Sequence, residues 1–164
     1  MLIKFLIVVL LVAGLGLGVR LYMGRTAEDM LRPGERVAIR ELHDPLPGNS
    51  FLACPPDYCA ATGTPSPTFA LPADRLEQDW RQMLASEPGI VIVADEPAQH
   101  RLVVIQHTKL LRFPDVVTAE FVALDNDRSS VAVYSKSRYG SGDFGTNRKR
   151  ILRWLDRLRQ QADQ

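Results

Sequence analysis

Cysteine and histidine are scarce, with two and three residues in a chain of 164. The histidines, His43, His100 and His107, are scattered and none sits in a Glu-x-x-His arrangement, so the ligand grouping of a metal site is missing. His43 and His100 fall in polar, proline-flanked loops, and His107 falls in an apolar run where a packed or edge position is expected. A Gly-x-x-x-x-Gly-Lys-Ser/Thr loop is absent, which removes the P-loop route to nucleotide phosphates. A Gly-x-Ser-x-Gly elbow is absent too, so a His107, Ser135 and Asp143 triad has no local support. No internal repeat or low-complexity block occurs, and neither cofactor nor metal is expected.

Excess charge is also lacking, the net value being +1, which argues against general nucleic-acid binding. The balance hides a polarity along the chain. Residues 41–100 hold nine acids and two bases, whereas residues 136–164 hold eight bases and three acids. The basic end is either a solvated helix face or a surface for an anionic partner.

One long apolar run is present. Lys4 is followed by fifteen residues without a charge, 5–19, and the apolar character continues past Arg20 to Met23. Residues 2–23 approach the roughly 20 needed to cross a bilayer. A cleaved signal segment is the alternative, since its apolar core runs about 7–15 residues behind a positive start. Gly16 and Gly18 offer only a weak cleavage pair with Arg20 directly behind, which favours a retained anchor. Cys54 lies too far along for N-terminal lipid attachment. The bases on the two sides, Lys4 against Arg20, Arg25 and Arg32, compete for orientation.

The cysteines tilt that competition toward export. Cys54 and Cys59 frame Pro55, Pro56, Asp57 and Tyr58, and a bridge closing so short a loop belongs in an oxidising compartment. Two free thiols, or redox or metal chemistry, are the other readings; the spacing departs from Cys-x-x-Cys.

Residues 24–68 carry seven prolines and read as a linker followed by an irregular strap, and residues 69–164 read as one α+β domain. Leu76, Trp80, Met83 and Leu84 have helical spacing until Pro88 and Gly89 stop them. Extended segments follow at 90–93, 102–107, 116–124 and 130–136, with Asp125-Asn126-Asp127 turning the last pair. The unbroken β-branched run at 90–93 predicts a strand covered on both faces. A last helix is predicted from near Asp143, whose carboxylate would cap its first turn, with Ile151, Trp154, Leu155 and Leu158 on one stripe. The expected fold is therefore α+β, an antiparallel sheet of about four strands with two helices on one side, preceded by a transmembrane helix.

Residues 135–155 read SKSRYGSGDFGTNRKRILRWL. In Ser135, Ser137, Arg138, Gly140, Asp143, Gly145, Asn147, Arg148, Arg150 and Ile151 this run resembles the ending of the bacterial family known as domain of unknown function 1499. Residues 108–120, with their Phe-Pro-Asp turn, are similar to the family upstream, so the resemblance spans roughly 69–158. The cysteine region departs from it, since many members have an Asn-Cys-Val-Ser-Ser pattern where this chain has Cys-Pro-Pro-Asp-Tyr-Cys. The apolar run and the cysteines give the expectation of a chain that crosses a bacterial inner membrane once through residues 2–23, with the globular part on the periplasmic side, and the resemblance implies a fold and an exported setting. It implies no reaction.

Arg138, Tyr139, Asp143, Asn147, Arg148 and Arg150 crowd the junction into the last helix. A helix N-terminus beside arginines suits phosphate or carboxylate, which makes Arg138, Asn147, Arg148 and Arg150 the ligand candidates. The competing reading makes Asp143 a helix cap and Arg138 or Arg150 an internal strut. Two functions follow: a non-catalytic envelope module binding an anionic lipid, glycan or protein, or an extracytoplasmic hydrolase using the polar corner near Arg138 and Asp143.

Overall fold

The structure, a computed structural model, describes residues 2–25 and 30–162. Residues 26–29, at the start of the expected linker, and both chain ends lie outside the described residues. Helix α1 (Leu2–Arg25) is apolar around most of its circumference, and its segment Leu2–Tyr22, none of it buried in the protein, is long and apolar enough to cross a membrane.

The globular part is α+β. Its elements are β1 (Ser50–Cys54), β2 (Thr64–Pro65), β3 (Thr68–Phe69), α2 (Ala73–Ala85), β4 (Ile90–Glu96), β5 (Arg101–His107), β6 (Pro114–Ala123), β7 (Ser129–Ser137) and α3 (Thr146–Ala162). They build one seven-stranded mixed sheet in the order β2-β1-β7-β6-β5-β4, with β3 also pairing β7. Only the β1–β2 pair is parallel. The expectation of about four antiparallel strands is corrected by β1, β2 and β3, which come from the stretch around the cysteines and prolines. These strands are two to five residues long, too short for an alternating pattern to stand out between prolines.

Period-2 alternation sorts β6 and β7 onto two faces. Val117, Ala119, Phe121, Val131 and Val133 face the helices, packing with Leu76, Trp80, Met83, Ile151, Trp154 and Leu158. Trp80 meets Trp154 edge to face at 5.7 Å and Phe121 at 6.1 Å, the arrangement favoured by ring quadrupoles. The opposite face is covered by the strap. Ile39, Ala61 and the cystine pack on Leu52, Ala132 and Tyr134, while Leu31 packs beside Val103, Ile105 and Val116.

The β4 expectation is also corrected. β4 is the sheet's outer strand, only half covered, with Ile92 52% exposed and a bulge between Ile92 and Ala94. Gly89, which precedes it, has φ +73 and lies so close to β5 that an added Cβ would stand 3.0 Å from the carbonyl oxygen of His107, so glycine is required there.

Candidate functional site

Four chain segments meet at one end of the sheet: the start of β1, the start of β6, the end of β7 and the start of α3. The polar residues of the β7–α3 junction tie them together. The Asp143 carboxylate accepts the N–H groups of Gly145 at 2.9 Å and Asn147 at 2.8 Å, at the N-terminal end of α3. Burial acts to raise its pKa, but these N–H groups prevail and hold it below the usual value. Asn147 is fully buried and donates to the Asn49 carbonyl at 3.0 Å and to Ser137 Oγ at 3.0 Å. Its Oδ1 accepts from Ser135 Oγ at 2.6 Å and from Arg150 at 2.7 Å. Arg150 also reaches Ser135 Oγ at 3.1 Å and forms a buried ion pair with Asp115.

The ligand candidates are therefore not gathered at one solvent-facing point. Asn147 and Arg150 lie inside the protein with their polar atoms engaged by it, so an incoming anion would have to displace these bonds. Arg138 has a side chain 1% exposed and holds Glu35 in a two-pronged pair at 2.6 and 2.7 Å. Its Nη2 also donates to the Met30 carbonyl at 2.9 Å. Burial pushes the Glu35 carboxyl upward, but the Arg138 hydrogen bonds and the Arg32 N–H outweigh it, and the net shift is down. Arg148 alone of the four is exposed, with no side-chain partner among the described residues. Charged residues are usually read as surface, but Asn147 and Arg150 lie one turn before Ile151 and Trp154 on the apolar stripe, a spacing signal for their inward direction that was not used.

His107 and Ser135, which the unsupported triad would have used with Asp143, are both buried. His107 Nδ1 lies 3.0 Å from the Arg112 carbonyl, and Ser135 Oγ is taken up by Asn147 and Arg150. Cys54 and Cys59 have their sulfurs at bonding distance and their Cα atoms 6.3 Å apart. Among the described residues no three His, Cys, Asp or Glu side chains are grouped as a metal ion would need.

Two clefts flank Ser137. The first, about 280 Å³, opens between the strap and the sheet, where Val37, Leu42 and Leu46 face Val116, Tyr134 and Lys136. Its volume is near the lower end of the range for small-molecule sites, about 300–1,000 Å³. Lys136 is exposed and has no side-chain partner among the described residues. Thr118 also lines this cleft, and its buried Oγ1 has no hydrogen-bond partner among the described residues. Such an atom is costly to leave unsatisfied. The second cleft, about 410 Å³, lies between residues 108–115 and the glycine loop, with Phe113, Tyr139, Asp143 and Phe144 on its walls. Sequence reasoning missed the first cleft because Val37, Leu42 and Leu46 follow no period in a proline-rich stretch. The lone signal was that so many apolar side chains occur in a segment read as a linker.

A family model described as "Protein of unknown function (DUF1499)" matches residues 51–158. The match contains the sheet wall of the strap cleft, all of α2 and α3 as far as Leu158, and it begins after the strap wall at 34–47. No curated protein matches the chain. Among solved structures it is similar to the Zhui aromatase/cyclase from Streptomyces sp. R1128, with 15% identity and a TM-score of 0.34, over 60% of this chain and 85% of that one. A likeness so distant carries no argument about ligand or reaction.

Proposed function

The chain belongs to the DUF1499 family of proteins of unknown function, and from that premise we propose a membrane-anchored, non-catalytic module that holds an anionic, lipid-like molecule between strap and sheet. Its globular part stands on the periplasmic side of a bacterial inner membrane. The strap cleft is the observation that carries this reading. Its apolar walls suit an acyl chain, Lys136 at its edge suits an anionic head, and the unpartnered Thr118 hydroxyl is a donor available within it. The Cys54–Cys59 pair supports an oxidising compartment. The hydrolase reading, which uses the polar corner near Arg138 and Asp143, is weaker, because Arg138 is engaged by Glu35 and Asp143 by backbone N–H groups.

Native mass spectrometry of the full-length protein in detergent, with fatty acids and anionic phospholipids added, tests the assignment. Wild type should retain one such molecule per chain. Leu46→Trp, which fills the cleft, should lose most of it, and Lys136→Glu should lose anionic ligands while keeping a neutral monoacylglycerol. Equal retention by wild type and both folded variants would defeat the cleft assignment.

A further inference from the structure

We propose that the loop tips bearing Leu110 and Phe144 form a second membrane contact, dipping into the interface of the bilayer that α1 crosses, with the neighbouring cations on its anionic headgroups. Leu110 is 78% exposed and Phe144 fully exposed, more than any other large hydrophobic side chain described in the globular part. Phe144 has φ +52, a left-handed conformation that glycine would adopt more easily, and Arg112 in the other loop has φ +58. Two loops at one end of the sheet thus hold apolar tips in water. They border the same cleft, and Phe113 of one loop lies 6.3 Å from Tyr139 of the other.

That end of the sheet is also where the anchor leaves the bilayer. The Arg20 guanidinium, near the end of the apolar span, donates to the carbonyls of Lys109 at 3.0 Å and Leu110 at 2.7 Å. Chain length gives the same placement independently. Met30 is held by Arg138 at this corner, and five residue steps separate it from Arg25, a reach of at most about 18 Å. The rim therefore cannot move far from the membrane surface.

Charge selects the occupant. Lys109, Arg112, Arg148 and Lys149 have no ion-pair partner among the described residues. The one acid in residues 108–113 and 138–149 is Asp143, whose oxygens are taken up by backbone N–H groups. Apolar tips ringed by free cations fit an anionic lipid surface.

The inference rests on α1 crossing the bilayer and is independent of what the strap cleft holds. Full-length Phe144→Trp and Leu110→Trp, reconstituted into anionic vesicles, test it against the constant background of buried Trp80 and Trp154. Lipids brominated along their acyl chains should remove most of the emission that each new tryptophan adds. Leu124→Trp, at the far end of β6, should instead be quenched by aqueous iodide alone. Co-flotation with the vesicles reports on the anchor separately. If the protein floats while Trp at 144 and 110 stays open to iodide and untouched by brominated lipid, the rim contact is wrong. Shielding from iodide without brominated-lipid quenching would overturn it in favour of a second copy or a protein partner. In zwitterionic vesicles quenching should fall, and unchanged quenching would refute the role given to the cations.

Discussion

The two faces of the sheet are covered by different chemistry. The helix face is an apolar layer in which Trp80, Trp154 and Phe121 interlock, so its cohesion comes from removing hydrocarbon from water. The strap face has two small apolar clusters and relies on directed bonds. Glu120, buried in the middle of β6, accepts the N–H of Ile39 at 3.1 Å, the hydroxyl of Tyr58 at 2.8 Å and Nε of Arg101 at 2.8 Å. Burial and the Glu120 carboxylate together push the Tyr58 hydroxyl's pKa up, so it remains a donor. Arg138 and Glu35 tie a second point, and the cystine a third. Packing holds a layer everywhere at once, whereas a few polar ties hold a strap at points that can be released singly, which suits a wall that admits a ligand.

The largest expected effect lies on the helix face. Trp154→Ala should cost about 3–5 kcal/mol and lower the melting temperature of the whole domain, without opening the strap preferentially. A local effect confined to α3 would break the comparison. Next comes Glu120→Ala, which strips three partners of their acceptor and leaves Arg101 with Glu96 as its remaining partner, 2.9 Å away. About 3 kcal/mol is expected, as for breaking a buried ion pair. Its signature should be local, with faster protease cleavage or amide exchange in residues 30–47 than in α2 and α3. Uniform loosening of both faces would mean that they form one cooperative layer.

The smallest effect is acidification. The Glu35 carboxyl is held below its ordinary value of 4.5 in the folded state, so its contribution is complete above that value and disappears as pH falls through the lower folded one. Amide protection in residues 30–47, taken relative to the intrinsic exchange rate at each pH, should therefore fall as pH drops below about 4.5. Glu35→Gln should make that protection lower at neutral pH and flatter with pH. Unaltered pH dependence in the variant would assign the acid response to another group.

Legibility in the sequence followed the same division. β5, β6, β7 and both packed helices were visible because one buried face imposes a period, as in Val131 and Val133 or Leu76, Trp80 and Met83. The strap face was invisible because its contacts join residues with no shared period, such as Ile39 with Glu120, 81 positions apart. Glu120 and Asp115 within an apolar strand were the available clue, since a buried carboxylate implies a partner. The strap cleft was not legible, and at the β7–α3 junction the sequence named polar residues without showing which of them the protein itself engages. Arg150 and Arg148 lie two positions apart on one helix and so on opposite sides of it; Arg150 shares the buried side with Trp154 and Leu158, where Asp115 meets it, and Arg148 is left in water. Leu110 and Phe144 carried no signal at all, because isolated apolar residues in loops are ordinary.

The sheet's two borders acquire a meaning from the proposed membrane anchoring. β2 is two residues long and ends on Pro65, which offers no N–H, while β4 breaks its ladder at the bulge beside Ile92. Copies tethered in that way would be confined to a plane, where effective concentrations rise toward the millimolar range known for short tethers. Under such crowding a long, flat border would recruit its neighbour and begin a polymer. A proline-stopped border on one side and a kinked one on the other let neighbouring copies collide without adding strands.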